Sequence, residues 1–131
     1  MRYLVDSDWL IDAATGRQRP QRTLERLSTQ GVAVSIVAIA EVYEGAFGTA
    51  DPQYTLAGLR EFLEDFAVLA LTDAIAERFA QIRAALRRNG QLIPDLDLLI
   101  AATALEEDLI LVTRNLRHFA RLPGLQLYQP D

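Results

Sequence analysis

The most apolar part of the chain is the segment VAVSIVAIAEV, which runs from Val32 to Val42. Its first three residues form a short, continuous apolar run, which predicts a buried strand over 32–34. Ser35 then predicts the N-cap of a helix over 36–47, which Gly48 ends. A strand that leads directly into a helix is the repeating unit of α/β proteins, so this segment predicts an α/β fold.

The same alternation of strands and helices extends in both directions from this segment. Continuous apolar runs predict further strands over 3–5, 66–71 and 109–112, with a possible edge strand over 126–128. Because these runs do not alternate with polar residues, we expect a central, mostly parallel sheet covered by helices on both faces. Caps and helix breakers predict helices from Ser7 or Asp8 to 14, over 20–30, from 51–52 to 65, from 72–73 to 89, from 94–95 to 107, and a short one over 115–119.

Length and composition exclude several classes of protein. A chain of 131 residues, half of them hydrophobic and 24% charged, fits one globular domain. The absence of cysteine excludes disulfides, thiolate zinc sites and a thiol nucleophile, and the single histidine, His118, excludes a site with several histidines in one chain. With an acid already at position 6 and no apolar run long enough to cross a bilayer, we expect a cytoplasmic protein without membrane contact.

The charge pattern combines an acidic total with local basic clusters. The net charge of −5 predicts no general attraction to nucleic acid or to anionic membranes. All 13 basic residues are arginines, so mechanisms that need a lysine are excluded, whereas bidentate contacts with phosphate are favoured. A polyanion could still bind where arginines converge, and they cluster at positions 17, 19, 22 and 26, at 83, 87 and 88, and at 114, 117 and 121.

Three acids are poorly explained as ordinary surface or capping residues. Asp6 directly follows the first strand, Glu41 lies within the most apolar segment, and Asp97 is a second acid in the first turn of an apolar helix. Each of these acids also has an ordinary structural explanation. Asp6 could cap a helix or lie in a solvated turn, and Glu41 could lie on an exposed stripe of its helix together with Glu44. Asp97 could be there because an acid is favourable at the positive end of the helix dipole. Three neighbouring acids have ordinary structural roles in this interpretation. Asp8 is the better cap of the first helix, Asp12 is solvated, and Asp95 caps its helix.

These acids are predicted to meet at one edge of the sheet. In parallel sheets, ligands bind at the carboxyl ends of the strands, where Asp6 follows the first strand and Asn115 follows the last. Together with Glu41 and Asp97 they form a set of oxygen donors, which is the ligand type that Mg²⁺ or Mn²⁺ prefers. Divalent ions held by carboxylates support hydrolysis of phosphodiesters, so the pattern predicts a metal-dependent phosphodiesterase.

Four segments carry these residues: YLVDSD at 3–8, SIVAIAEVYEG at 35–45, IPDLDLLIAATA at 93–104 and LVTRNLRHF at 111–119. In order, spacing and total length they resemble the PIN domain, in particular the toxin nucleases of VapBC toxin–antitoxin pairs. The resemblance extends over essentially the whole chain. It implies a single PIN domain over 1–131, a PIN-like three-layer fold, and a ribonuclease that requires Mg²⁺ or Mn²⁺.

The resemblance also implies roles for individual residues. Asp6, Glu41 and Asp97 would hold the metal and, with Asn115, form the catalytic set. Asn115 stands in the Thr-x-Asn/Asp position of the family, and His118 stands where many relatives carry an acid. The site therefore has three carboxylates. His118 would be a surface residue or a neighbour of the ligating acids. Flanking phosphates of the RNA would be held by residues near the rim, namely Arg17, Thr113, Arg114 and Arg117.

The partners implied by the resemblance are an RNA substrate, a cognate VapB-type antitoxin that covers the acidic pocket, and a second copy of the chain in a homodimer. Operator DNA would be bound only through the antitoxin. One alternative is a catalytically weak PIN domain that binds RNA or protein, which the replacement at position 118 would favour. Phosphatases of the haloacid dehalogenase type match Asp6-Ser7-Asp8 but need a lysine, and receiver domains are disfavoured for the same reason.

Overall fold

A computed structural model describes residues 1–130 of the chain. Strands and helices alternate along it as the sequence predicts. The elements are β1 (Tyr3–Val5), α1 (Ser7–Ala14), α2 (Gln18–Ser28), β2 (Val32–Ser35), α3 (Ile36–Ala46), α4 (Pro52–Leu63), β3 (Ala67–Leu69), α5 (Asp73–Arg88), α6 (Asp95–Glu106), β4 (Ile110–Val112) and α7 (Leu116–Phe119).

The four strands form one sheet in the order β3-β2-β1-β4, and all three pairings are parallel. The predicted α/β fold with a parallel sheet flanked by helices is therefore confirmed. The central strand β1 pairs with β2 on one side and with β4 on the other, so the chain segments that follow these strands leave the sheet at the same edge. The predicted edge strand over 126–128 is not formed, since Leu127 makes only an isolated parallel bridge with Leu111.

The core explains why the strands are continuous apolar runs. Leu4 and Val5, whose side chains point to opposite faces of the sheet, are both fully buried. Leu111 and Val112 in β4 are fully buried as well. Both faces of the sheet centre are thus covered by helices, as expected for three layers. Burial on both faces also means that a polar side chain beside this core must find its partners locally.

Three helix starts follow the capping signals of the sequence, and two do not. Ser35, Asp51 and Thr72 accept backbone N–H groups of α3, α4 and α5, as predicted. The cap of α1, however, is Asp6, which accepts from Ser7 N, rather than Ser7 or Asp8. The predicted cap role of Asp95 is also wrong: Pro94 occupies the cap position of α6, and the Asp95 carboxylate accepts from Arg83.

The remaining differences from the predicted helices are shifts of one or two residues. α2 begins at Gln18, so Pro20 lies in its first turn rather than at its start. Proline fits there because the first helical N–H groups have no partner within the helix. Over residues 1–130, no helix combines the length and the apolar character needed to cross a membrane.

Candidate active site

Acidic and amide side chains meet at the carboxyl edge of the sheet, where β1 and β4 end. Asp6 follows β1, Asn115 follows β4, and Asp97 lies in the first turn of α6. Glu41 lies in α3, which begins at the carboxyl end of β2. Burial is the main cause that raises the pKa of Asp6 and of Glu41, and the nearby negative charge of Asp97 raises both further. The structure therefore brings the predicted acids to one place.

Asp6 is the most buried carboxylate of this group, with 4% of its surface exposed. Its Oδ1 accepts from Ser7 N at 2.7 Å, and its Oδ2 accepts from the Thr113 hydroxyl at 2.7 Å. Burial, followed by the charge of Asp8, raises the pKa of Asp6 from 3.8 to about 6, although both hydrogen bonds favour the ionised form. Asp6 is thus held in one orientation by neutral donors, which leave its charge unbalanced.

Asp97 is oriented by two side chains of the segment that follows β4. Its Oδ2 lies 3.0 Å from Asn115 Nδ2 and 2.9 Å from His118 Nδ1. Because a carboxylate accepts hydrogen bonds, we assign the Nδ1 proton of His118 to this contact. His118 is therefore a direct neighbour of a predicted ligand, which is one of the two roles that the sequence allowed.

Glu41 does not lie on an exposed stripe with Glu44, because it is half-buried whereas Glu44 is exposed. Its Oε1 is buried and has no hydrogen-bond partner among residues 1–130. Burial raises the pKa of Glu41, the Ser7 side chain lowers it, and the charges of Asp97, Asp8 and Glu44 raise it further. A buried carboxylate oxygen without a donor is costly, so this oxygen is available for a ligand.

Asp8 belongs to the same acidic group, which sequence reasoning missed by treating it as a cap. Its Oδ1 accepts from Trp9 N, and its Oδ2 accepts from Arg114 N at 2.9 Å. Burial raises the pKa of Asp8, while the two backbone donors and the charge of Arg114 lower it. The available signal was its position two residues after Asp6 in the first turn of α1.

Asp12, one turn after Asp8, is not solvated as predicted. Its side chain is 13% exposed and pairs with the guanidinium groups of Arg17 and Arg114. The backbone N–H of Arg17 also donates to the Asp12 carbonyl. These contacts hold the start of α2 and the segment after β4 against α1.

The predicted phosphate-binding residues differ in their surroundings. Thr113 is buried, and its hydroxyl donates to Asp6 while accepting from Asn115 N at 3.0 Å. Arg17, Arg114 and Arg117 are exposed. Arg114 also lies over the Trp9 ring, 5.8 Å from its centroid. Of these four residues, Thr113 and Arg114 are in hydrogen-bond contact with the acidic group.

The donor set fits a hard divalent cation bound mainly through one or two carboxylates and water. Among residues 1–130, no three Asp, Glu or His side chains are arranged closely enough to hold a single ion. Mg²⁺, however, is commonly bound by only one or two carboxylates and keeps several waters. Glu41 Oε1 has no donor among residues 1–130, and Asp6 is buried beside the charge of Asp8, so a cation would stabilise both carboxylates in their ionised form.

Comparisons with known proteins identify the family of the chain. The PIN domain family profile matches residues 3–125. Ribonuclease VapC2 of Haemophilus influenzae is 34% identical over 128 residues, which cover 96% of each chain. The tRNA(fMet)-specific endonuclease VapC of Salmonella typhimurium is 31% identical over 129 residues, covering 97% of this chain and 96% of that protein.

Solved structures give the same result for the fold. VapBC2 from Rickettsia felis, bound to a DNA fragment from its promoter, superposes with a TM-score of 0.92 at 26% identity, covering 100% of both chains. DNA-bound VapBC from Salmonella typhimurium superposes with a TM-score of 0.90 at 29% identity, covering 98% of this chain and 97% of that one. The chain therefore belongs to the PIN-domain family, in its VapC branch.

Proposed function

We propose that this chain is a single PIN domain over 1–131 and a metal-dependent endoribonuclease, the toxin of a type II toxin–antitoxin pair. The observation that carries the proposal is the acidic group of Asp6, Asp8, Glu41 and Asp97, which contains a buried carboxylate oxygen without a hydrogen-bond donor. The names of the relatives, which are ribonucleases and a tRNA endonuclease, support the reaction class.

Asp6 and Asp97 would hold the cation directly or through water, and Glu41 would complete the site through a bound water, because no three acids of residues 1–130 are close enough to share one ion. When bound, Mg²⁺ or Mn²⁺ would polarise the scissile phosphodiester and favour attack by water. Thr113 keeps Asp6 in place, and Asn115 and His118 keep Asp97 in place, so the ligands need little rearrangement. The raised pKa of Glu41 suits a group that positions the attacking water and accepts its proton.

The substrate side of the proposal concerns the residues around the acids. Without a cation the acidic group repels the phosphates of RNA, so cleavage should depend strictly on the divalent ion. Arg17, Arg114 and Arg117 are exposed and provide positive charge near the rim. Bidentate contacts from these guanidinium groups would hold flanking phosphates, and Asn115 would orient the scissile phosphate.

The partners follow from the same site and from the relatives. A VapB-type antitoxin would cover the acidic group, and an arginine or lysine of the antitoxin would complement its charge. Operator DNA would be bound through the antitoxin, in keeping with the VapBC complexes of Rickettsia felis and Salmonella typhimurium, which were solved with DNA. Exposed apolar side chains, among them Phe47 and Tyr54, would support a homodimer. The complex would act in the cytoplasm, where its RNA substrates occur.

The test is incubation of the purified protein with total RNA in Mg²⁺ or Mn²⁺ and in EDTA. We expect discrete fragments that require the cation and disappear in Asp6→Asn and Asp97→Asn. Glu64→Gln, which changes an exposed acid at the end of α4, is the matched control and should cleave like the wild type. End mapping of the fragments then identifies the RNA.

The alternative of a catalytically weak PIN domain rests on Asn115 and His118, which contact Asp97 but provide no further carboxylate. It predicts RNA binding without cleavage in either cation. Unfolding of Asp6→Asn and Asp97→Asn would contradict the proposed catalytic site, because these acids would then be structural.

A further inference from the structure

A second, oppositely charged feature lies beside the acidic group. It is an open groove of about 900 Å³ between the start of α1, the outer face of α2 and the C-terminal segment. We call it the α2 groove. Its lining contains no acidic residue among residues 1–130 and includes four arginines, Arg19, Arg22, Arg26 and Arg114.

Three of these arginines lie on one face of α2, because positions 19, 22 and 26 are three and four residues apart. All three are exposed, and none forms an ion pair with an acid of residues 1–130. Like charges at this spacing repel one another, and Arg19 also lies at the positive end of the helix dipole. The groove therefore gathers positive charge that the described chain leaves unbalanced.

Two further features of the groove favour an anion. The first turn of α2 lines it, and the cap residue Arg17 provides no side-chain hydrogen bond to that turn, so the N–H groups there remain donors. Trp9 also lines the groove, and the Arg114 guanidinium lies over its ring, 5.8 Å from the centroid. The turn provides donors and the ring holds a guanidinium beside the groove, which suits a ligand that is rich in acceptors.

The groove continues into the acidic group through Thr113 and Arg114, which line it. Thr113 donates to Asp6, and the backbone of Arg114 donates to Asp8. At the far side, Arg26 donates to the Tyr128 hydroxyl at 2.7 Å, which holds this arginine beside the groove. A bound strand could thus extend from the acids along α2 without leaving positive surface.

From this arrangement we infer that the α2 groove binds the phosphates of the single-stranded RNA segment that flanks the cleaved bond, and that Arg19, Arg22 and Arg26 are the contacts. This inference rests on the proposed function for the identity of the ligand. It moves the main phosphate contacts from Arg17 and Arg117, which do not line the groove, to the face of α2. A nucleic acid strand fits better than a small anion because the charges are spread over two turns of helix.

The first experiment measures binding of a fluorescent single-stranded RNA to the whole protein in EDTA, over roughly 50 to 200 mM salt. Arg19→Ala/Arg22→Ala removes two groove charges that form no ion pair within residues 1–130. Arg87→Ala/Arg88→Ala removes the same charge from the exposed end of α5 and is the control. We expect the groove variant to bind about tenfold more weakly and its salt slope to fall by about 1.4, with the control within about twofold of wild type.

An equal loss of RNA affinity in the groove variant and in the α5 control would overturn the proposal, because RNA binding would then depend only on the net charge of the protein. It would also be overturned if RNA binding were unchanged while binding of a poly-glutamate peptide was lost, which would indicate an acidic protein partner instead. A cleavage assay in Mg²⁺ separates this proposal from the proposed function. If the wild type binds RNA without cleaving it and the groove variant loses this binding, the nuclease activity is refuted and the groove is supported. If the groove variant cleaves RNA with the KM of the wild type, only the groove proposal is refuted.

Discussion

The acidic group and the α2 groove lie side by side, but their charged side chains differ in burial and in hydrogen-bond partners. The acids are buried or half-buried and are oriented by neutral donors such as Thr113 and Asn115. The groove arginines at 19, 22 and 26 are exposed and have no acidic partner among residues 1–130. Burial amplifies repulsion between the acids, whereas solvent screens the arginines. Each region would gain stability from a ligand of opposite charge, but most of the acids are held by two hydrogen bonds, whereas among the groove arginines only Arg26 has a short one, to Tyr128.

The largest effect should come from removing a buried acid. Asp97→Asn keeps the side-chain volume but removes the charge that Asn115 and His118 orient, so we expect cleavage to fall more than about 100-fold, or roughly 3 kcal/mol in the barrier. Initial rates at saturating Mn²⁺ measure the loss. If Asp97→Asn lowers the cleavage rate less than Arg114→Ala does, the exposed arginines contribute more to cleavage than the buried acids.

Burial of Asp6 predicts a change of stability with pH in the metal-free protein. Its pKa is raised from 3.8 to about 6 in the folded state, so the folded form binds the proton more tightly than the unfolded form. The stabilisation from the proton is complete below about pH 4 and is lost as the pH rises through 6. At pH 7.5 the ionised group therefore destabilises the fold by up to about 3 kcal/mol.

Urea unfolding in EDTA at pH 7.5 and pH 5 measures this effect. Asp6→Asn should be more stable than wild type at pH 7.5, and the difference should narrow at pH 5. Asp95→Asn, an exposed acid on the neighbouring helix, serves for comparison and should show no such gain. A variant of Asp6 that is destabilised at both pH values would mean that its hydrogen bonds outweigh its repulsion.

His118 allows a smaller test of how far the acids depend on their neighbours. His118→Ala removes one of the two donors to Asp97 but no ligand, so we expect metal affinity or activity to fall about 10- to 100-fold. The half-saturating Mn²⁺ concentration should rise while the melting temperature changes little. Arg88→Ala, at the exposed end of α5, is the control. An unchanged Mn²⁺ requirement would show that Asn115 alone positions Asp97.

The smallest effect concerns Asp12, which neutralises the arginine nearest to both regions. Asp12→Asn releases Arg114 and Arg17 from their ion pairs, so RNA should bind about two- to fivefold more tightly at low salt. The free energy of unfolding should fall by about 1 kcal/mol or less, because both arginines are largely solvated. Unchanged RNA affinity would indicate that Arg114 and Arg17 do not face the RNA.

Local sequence patterns predicted most of the fold and part of the site. The strands at 3–5 and 109–112 and the caps Ser35, Asp51 and Thr72 follow from apolar runs and short-range hydrogen bonds. The errors at Asp8 and Asp95 have a common cause. Either residue could cap a helix by its position, but each is held by a partner from another segment, Arg114 in one case and Arg83 in the other.

The sequence by itself determined the order of strands and helices, the parallel sheet and the placement of acids just after strands, because backbone hydrogen bonding and burial act over short stretches of chain. The tertiary structure decided which of these acids face one another. Asp6 meets Thr113 across 107 positions, and Arg26 meets Tyr128 across 102. Such contacts depend on β1 lying between β2 and β4 and on how each helix is rotated against the sheet, and no local pattern encodes either.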